Sequence, residues 1–217
     1  MKLFIDSGNI KDIETLAALG IIDGVTTNPT LLAKEPGDFK QNLKRICDIV
    51  KGPVSGEVVS IDFAGMIREG HDIAKIDGHM IVKVPLTRDG IRACKTLSDE
   101  GIPVNVTLVF SAAQALLAAK AGATFVSPFV GRLDDVGTDG MELIREIVEI
   151  YDNYAYKAEV LVASCRNPIH IVHAARMGAD ICTCPPALID QLFNHPLTNI
   201  GLEKFLKDWE KGQAAKV

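Results

Sequence analysis

The stretch His79-Met80-Ile81-Val82-Lys83-Val84-Pro85 places one lysine inside an otherwise apolar run. Branched aliphatic residues dominate the run and a proline ends it, which is typical of a buried β-strand. A lysine is almost never fully buried unless it is paired or chemically used. Burial favours the neutral amine, the nucleophile that forms a Schiff base with a carbonyl. The alternative is an edge strand on which Lys83 points to water and discourages further strand pairing.

Short apolar runs of this kind recur along the chain, and amphipathic stretches with helical spacing separate them. Glycine ends several of these stretches, as in Ala121-Gly122 and Met177-Gly178, where it supplies a left-handed helix cap. Strands that alternate with helices pair in parallel, because each helix returns the chain to the same edge of the sheet. The eight predicted strands are Leu3–Asp6, Gly24–Asn28, Val54–Ser60, Met80–Pro85, Val104–Val109, Phe125–Val130, Val160–Ser164 and Ile181–Pro185.

Eight strand–helix units in 217 residues predict an α/β fold, a single (βα)8 TIM barrel near the lower size limit of that fold. We expect one domain over residues 1–217, with a C-terminal helical extension over residues 198–212. An open doubly wound sheet is the alternative. It has little support, because no Gly-x-Gly-x-x-Gly motif follows the first strand.

Composition and charge exclude several classes of protein. The chain is 47% hydrophobic and 24% charged with a net charge of −5, so we expect no nucleic-acid partner and no binding to anionic membranes. No apolar run reaches the roughly 18 residues that span a bilayer. The N-terminal sequence MKLFIDSGN contains a carboxylate at Asp6, which interrupts the apolar segment that a signal peptide requires, so we expect neither a signal peptide nor a transit peptide. Five cysteines without framework spacing then favour a cytoplasmic protein with reduced thiols.

The cysteine and histidine patterns do not predict a metal site. Cys182-Thr183-Cys184 lacks the Cys-x-x-Cys spacing of zinc and redox sites and falls in a predicted strand, so buried small apolar side chains are the favoured interpretation. His170 and His173 lie three apart on a predicted helix and are candidates to share an ion. No third ligand stands at a recognisable spacing, so we expect no metal.

Polar residues gather toward the carboxyl ends of seven predicted strands. Catalytic residues of barrels sit at that end, and residues two apart on a strand face the same way. If these positions point inward, one end of the barrel holds a lysine among carboxylates, amides, hydroxyls and arginines, which makes the edge-strand interpretation of Lys83 the weaker one. The polar residues are Asp6, Thr26, Asn28, Glu57, Lys83, Asn105, Thr107, Ser127, Arg132, Ser164 and Arg166, and the apolar Phe129 faces the same way as Ser127.

This set predicts carbon–carbon bond chemistry on a phosphorylated ketone. An iminium on Lys83 withdraws electrons and allows the adjacent C–C bond to break, while Asp6 or Glu57 takes a proton from the substrate hydroxyl. Arg132 and Arg166 offer planar forks suited to phosphate. The alternative is two surface arginines, but both follow neighbouring strands, near the usual phosphate position of such barrels.

Five motifs together resemble the transaldolase family, most closely its small-subunit branch, which also contains the fructose-6-phosphate aldolases. The resemblance extends from Phe4-Ile-Asp6 to Phe205-Leu-Lys-Asp-Trp209, in the same order along the chain. The motifs are Val25-Thr-Thr-Asn-Pro-Thr30, Val82-Lys-Val-Pro85, Asn105-Val-Thr107, Ser127-Pro-Phe-Val-Gly-Arg132 and Ala163-Ser-Cys-Arg166.

The resemblance implies a cofactor-free class I enzyme of the non-oxidative pentose phosphate pathway. Such an enzyme moves a dihydroxyacetone unit from a ketose phosphate (sedoheptulose 7-phosphate or fructose 6-phosphate) to an aldose phosphate (glyceraldehyde 3-phosphate or erythrose 4-phosphate). It implies Lys83 as the Schiff-base lysine and Asp6 as general acid and base. It further implies that Glu57 and Thr107 hold a water molecule that relays protons. Asn28 and Asn105 would bind substrate hydroxyls, and the sugar phosphate would be bound by Arg132, Ser164 and Arg166.

Two positions favour a transaldolase over an aldolase that releases free dihydroxyacetone. The aldolase subgroup has glutamine in place of Glu57 and tyrosine in place of Phe129, and both differences change how the enamine is protonated and how water reaches it. A non-catalytic sugar-phosphate-binding barrel is the alternative from another class.

Small-subunit members assemble as pentameric rings that pair into decamers, so the resemblance also implies a homo-oligomer. The segment Leu202–Trp209 is then either an intersubunit arm or a helix packed on its own barrel.

Overall fold

The structure, a computed structural model, describes residues 1–214; residues 215–217, the end of the predicted domain, lie outside the described part. Eight parallel strands close into a barrel in chain order, with Leu3 of the first strand opposite Cys182 of the last. This arrangement confirms the predicted (βα)8 barrel and excludes an open sheet. The strands are β1 (Lys2–Asp6), β2 (Gly24–Thr26), β3 (Val54–Glu57), β4 (Met80–Pro85), β5 (Val104–Val109), β6 (Phe125–Pro128), β7 (Glu159–Val162) and β8 (Ile181–Cys184).

Helices follow the strands, and side chains of Asn, Asp, Ser or Thr cap most of their N-termini. Asn28 Oδ1, for example, accepts the backbone N–H of Leu31 at 2.9 Å. The helices are α1 (Ile10–Ala17), α2 (Pro29–Leu32), α3 (Phe39–Val50), α4 (Phe63–Ala74), α5 (Arg88–Asp99), α6 (Ala112–Lys120), α7 (Val130–Asp134), α8 (Gly140–Tyr154), α9 (Pro168–Met177), α10 (Pro186–Gln191) and α11 (Pro196–Ala214).

Five strands (β2, β3, β6, β7 and β8) end earlier than their sequence patterns indicate, and hydrogen bonds explain the ends of β2 and β3. β2 stops at Thr26 because Asn28 already caps α2. β3 stops at Glu57 because the carboxylate of Glu69, on α4, accepts the N–H groups of Val59 and Ser60 at 2.7 and 3.0 Å. These backbone donors are therefore lost to the sheet.

Inside the barrel, an apolar layer forms a floor beneath the carboxyl ends of the strands. The rings of Phe4 and Phe125 meet edge to face with centroids 6.1 Å apart. Gly24 makes room for them, since a Cβ there would lie 2.6 Å from the Phe4 ring. Side chains alternate along a strand, so the next inward position on each strand stands above this floor. The floor consists of Phe4, Ile81, Phe125, Leu161, Ala163 and Ile181.

A second and larger apolar layer lies between the barrel wall and the helices. Val82 and Val84 of β4 are fully buried in it together with Leu97 of α5, and Ile144 and Ile147 of α8 are equally buried. Burying each such side chain contributes about 1.5–3 kcal/mol. This layer holds the helices against the strands and thereby fixes the strand register.

The C-terminal helix α11 stands apart from both layers. None of its residues is buried, and Phe205 and Trp209 are 70% and 67% exposed. No helix within residues 1–214 is long and apolar enough to cross a membrane.

We expect Gly90→Ala to destabilise the barrel, because the added Cβ would lie 1.8 Å from the carbonyl oxygen of Pro85 at the end of β4. Overpacking of this kind costs about 1–3 kcal/mol. Urea denaturation measures the loss. Gly78→Ala is the matched control, since its Cβ meets no atom within 4 Å. Equal stability of the two variants would contradict the close approach of α5 to β4.

Candidate active site

A cavity of about 170 Å³ opens at the carboxyl end of the barrel, above the apolar floor. Of the twelve residues predicted from the sequence, Glu57 and Asn105 do not line it. Glu57 lines an adjoining cavity that shares Asn28, Lys83 and Thr107 with the first. The ten predicted residues that line the first cavity are Asp6, Thr26, Asn28, Lys83, Thr107, Ser127, Phe129, Arg132, Ser164 and Arg166.

Lys83 lies on the inner wall of the barrel and is only 4% exposed. The register of β3 and β4 places Glu57 directly beside it, and Nζ lies 2.9 Å from Oε2 of Glu57. Nζ also donates to the carbonyl oxygen of Thr27 at 3.0 Å. A closed barrel has no edge strand, so the edge-strand interpretation of Lys83 is wrong. The amine is buried, paired and turned toward the cavity.

Asp6, at the end of β1, sits in a chain of hydroxyl groups. Thr26 Oγ1 donates to Asp6 Oδ1 at 2.7 Å, and Thr183 Oγ1 lies 2.7 Å from Thr26 Oγ1. Since Thr26 has one hydroxyl proton and gives it to Asp6, Thr183 is the donor to Thr26. Burial raises the pKa of Asp6, although the charge of Lys83 and the bond from Thr26 act in the opposite direction.

Thr183 is a cavity residue that was not predicted, although the sequence contains a signal for it. Thr183 lines the cavity from β8, two residues after the inward-facing Ile181. The period of two that places Thr26 and Ser127 in the cavity also applies to Thr183. Thr183 stands between two cysteines, and this segment was interpreted only as buried small apolar side chains.

Asn105 is fully buried, and both ends of its amide form hydrogen bonds. Nδ2 donates to Ser55 Oγ at 3.1 Å, and Oδ1 accepts from Ser127 Oγ at 2.7 Å. Ser55, two residues before Glu57 on β3, is a further residue that the sequence analysis did not select. This bridge ties β3, β5 and β6 together, and the register of β4 and β5 pairs Asn105 with Lys83.

Thr107 stands at a distortion of β5. The pairing of β5 with β6 shifts between Val106 and Val109, and Leu108 has a positive φ of 59°. A left-handed non-glycine residue costs roughly 1–2 kcal/mol. The Thr107 hydroxyl is buried and has no hydrogen-bond partner within residues 1–214. An unpaired buried hydroxyl that lines a cavity is available to a bound molecule.

Two arginines stand at the opening of the cavity. The guanidinium of Arg132 lies 5.3 Å from the centre of the Phe129 ring and pairs with no carboxylate of the described chain. Arg166 pairs with Asp135 at 2.9 Å in an exposed contact, which contributes little and is readily exchanged. Gly131 permits their approach, since a Cβ there would lie 2.6 Å from the Arg166 side chain. The pair forms a cationic rim suited to an anion.

His170, considered above as a metal ligand, instead supports this rim. Its Nδ1 accepts the backbone N–H of Arg166 at 3.3 Å, and its Nε2 lies 3.1 Å from Asp134 Oδ2. The histidine therefore links α9 to the segment that carries Arg166 and to the end of α7.

Several known proteins that are similar to this chain all belong to one kind. The model of the Transaldolase/Fructose-6-phosphate aldolase family matches residues 3–216. A protein of Nitrosopumilus maritimus named "Probable transaldolase" is 56% identical over 215 residues, 99% of this chain and 97% of its own. A protein of Kosmotoga olearia with the same name is 54% identical over 97% of both chains. A third, from Methanococcus maripaludis, is 56% identical over 97% of this chain and 98% of its own.

We expect Asp6→Asn to gain stability relative to the native chain as the pH rises. Because the folded-state pKa of Asp6 is raised, its contribution to stability is present below the unfolded pKa and is lost as the pH rises through the folded value. Denaturant unfolding at pH 3.5–8 measures this difference.

Glu69→Gln is the control with the opposite sign. Hydrogen bonds from Ser60 and Val59 lower the pKa of Glu69 against the effect of burial, so its contribution is present at neutral pH and is lost in acid. If the stability of both variants relative to the native chain changed with pH in the same direction, the raised pKa of Asp6 would be refuted.

Proposed function

The chain belongs to the transaldolase/fructose-6-phosphate aldolase family, and from that premise we propose that it is a transaldolase. It transfers a dihydroxyacetone unit from a ketose phosphate to an aldose phosphate and carries that unit on Lys83. The observation that carries the proposal is the buried Lys83 amine, paired with Glu57 and open to a cavity that has Asp6 within it and two arginines at its rim.

The first step forms the Schiff base. Transfer of a proton from Lys83 to Glu57 across their 2.9 Å contact leaves a neutral Nζ, which attacks the C2 carbonyl carbon of the ketose. The resulting carbinolamine loses its hydroxyl with a proton as one water molecule and becomes an iminium. Glu57 and the Thr107 hydroxyl hold that water, and Glu57 supplies the proton; the unpaired hydroxyl of Thr107 and the cavity that it shares with Glu57 support these roles.

The second step breaks the C3–C4 bond. Asp6 takes the proton of the C4 hydroxyl, the C4–O bond becomes a carbonyl, and the bonding electrons move into the iminium to give an enamine on Lys83. An aldose phosphate leaves. The raised pKa of Asp6 suits this role, because the same carboxyl must return the proton when the next aldehyde is attacked. Thr26 holds the carboxyl in place.

Substrate binding follows from the rest of the cavity. Arg132 and Arg166, with Ser164, bind the phosphate of the departing and of the incoming aldose, since exchange of Asp135 for phosphate retains the charge pairing of Arg166. Asn28 binds a substrate hydroxyl. Asn105 does not line the cavity, so it acts on the substrate indirectly, by holding the Ser127 hydroxyl that does line it.

Transfer rather than release requires that the enamine persists until an acceptor binds. Phe129 lines the cavity with a ring that has no hydroxyl to protonate the enamine. Glu57, a carboxylate beside Lys83 that holds the relay water of the first step, stands where the aldolase subgroup has glutamine. These two positions favour the transaldolase over the fructose-6-phosphate aldolase.

The proposal extends to the cellular context. The substrates belong to the non-oxidative pentose phosphate pathway, and the protein acts in the cytoplasm. All five cysteines are buried free thiols, which fits a reducing compartment.

Borohydride reduction in the presence of fructose 6-phosphate should leave a three-carbon dihydroxypropyl group on Lys83, detected by peptide mass mapping. Lys83→Ala should lower activity by at least about 10³-fold and retain the fold, because the proposal makes the amine essential to the reaction. Lys95→Ala, at an exposed lysine of α5, is the matched control. No adduct would support a non-catalytic binding barrel, and an adduct on another lysine would refute the assignment of the Schiff base to Lys83.

The acceptor requirement then separates the two enzymatic alternatives. With fructose 6-phosphate as donor, turnover should require erythrose 4-phosphate beyond the first half-reaction. Equal turnover without the acceptor, with free dihydroxyacetone as product, would identify an aldolase.

A homo-oligomer, a pentamer or a decamer, completes the proposal, with α11 as the contact element. Leu202, Phe205, Leu206 and Trp209 are exposed at spacings of three and four residues, so they lie on one stripe of the helix. A large exposed apolar stripe of this kind is typical of an interface.

Phe205→Ser combined with Trp209→Ser should therefore reduce the assembled mass in sedimentation velocity. Lys207→Ser, on the same helix, should leave it unchanged. An unaltered mass for the double variant would remove α11 from the interface.

A further inference from the structure

Three cysteines place their sulfur atoms together outside the barrel wall. Cys182 and Cys184 lie two apart on β8 and face away from the cavity, while Thr183 between them faces into it. Cys165 follows β7, the neighbouring strand. Its Sγ lies 3.3 Å from that of Cys182, which lies 3.6 Å from that of Cys184. All three sulfurs lie within 4.8 Å of one another, and we call this group the trithiol cluster.

The trithiol cluster is buried in the apolar layer and takes no part in the proposed reaction. Cys165 is 2% exposed and the other two are fully buried. Hydrogen bonds from its neighbours lower the pKa of Cys182 to about 5, and those contacts and burial raise the pKa of Cys165. The cluster thus brings three buried thiols within reach of a single point.

We propose that the trithiol cluster is a binding site for a single Cu(I) ion. Thiolate sulfur is the ligand that soft ions prefer, and the group contains no oxygen ligand of the kind that Mg²⁺ or Ca²⁺ requires. Structural Zn²⁺ requires four ligands, and the ring nitrogens of the nearby His170 already contact Arg166 and Asp134. Three sulfurs suit an ion of lower coordination number.

The dimensions of the cluster agree with this assignment. A metal–sulfur distance of about 2.3 Å places three sulfurs in a plane with the ion about 4 Å apart. The sulfur separations in the cluster, 3.3 and 3.6 Å with all within 4.8 Å, lie around that value. Each thiol that ligates the ion releases its proton to solvent, and copper remains Cu(I), so the step needs no oxidant or reductant.

The test is an anaerobic titration of the reduced, full-length protein with Cu(I) in competition with a chromophoric Cu(I) chelator. The native chain should withhold one equivalent of Cu(I). Cys182→Ala and Cys184→Ala should each weaken that binding by about 100-fold, since each removes a ligand. Cys47→Ala and Cys94→Ala are matched controls, because both are buried thiols away from the cluster, and they should bind as the native chain does.

Copper X-ray absorption on the native complex keeps the test decisive if a cysteine variant fails to fold. Only sulfur neighbours are expected. Nitrogen or oxygen neighbours, no withheld copper, or unchanged affinity in the Cys182→Ala variant would overturn the site. A Cys165–Cys182 disulfide formed in place of the copper complex would overturn it as well. None of these readouts depends on transaldolase activity.

Discussion

Burial of the Lys83–Glu57 pair is the constraint on which the barrel mouth depends. Removing two charges from water costs several kcal/mol per ion, and mutual attraction offsets this only when further hydrogen bonds are present. The Thr27 carbonyl supplies one such bond, and β3 and β4 hold the partners in register. A lysine in this position is poorly suited to stability alone. Its surroundings exclude water from the Lys83 amine and pair that amine with Glu57, which suits a reactive group.

The alternation of side chains along each strand divides the barrel into a floor and a reaction chamber. On β1, Phe4 belongs to the floor and Asp6 to the chamber; on β4, Ile81 and Lys83 stand in the same relation. A register slip of one residue would turn every one of these side chains to the other face of the wall. The closed sheet and the chemistry thus depend on the same hydrogen-bond register.

Local patterns were enough to predict the barrel and ten of the cavity-lining residues, because strand burial and a period of two are visible in short segments. The ends of β2 and β3 were not predictable, since Glu69 acts on Val59 and Ser60 from a different helix. The position of Asn105 depends on partners from two other strands. Cys165 could not be grouped with Cys182 because only the pairing of β7 with β8 brings them together.

Strand order has a stereochemical consequence. Lys83 projects from β4 and Asp6 from β1, so the amine and the carboxyl stand at fixed points around the mouth of the barrel. Crossovers between parallel strands are right-handed, which sets the direction in which the strands follow one another around the barrel. In the proposed mechanism the enamine is tethered at one point and the incoming aldehyde must place its oxygen at the other. Only one face of the enamine then meets the carbonyl carbon. In that mechanism, the configuration of the new carbon centres follows from the handedness of the strand crossovers.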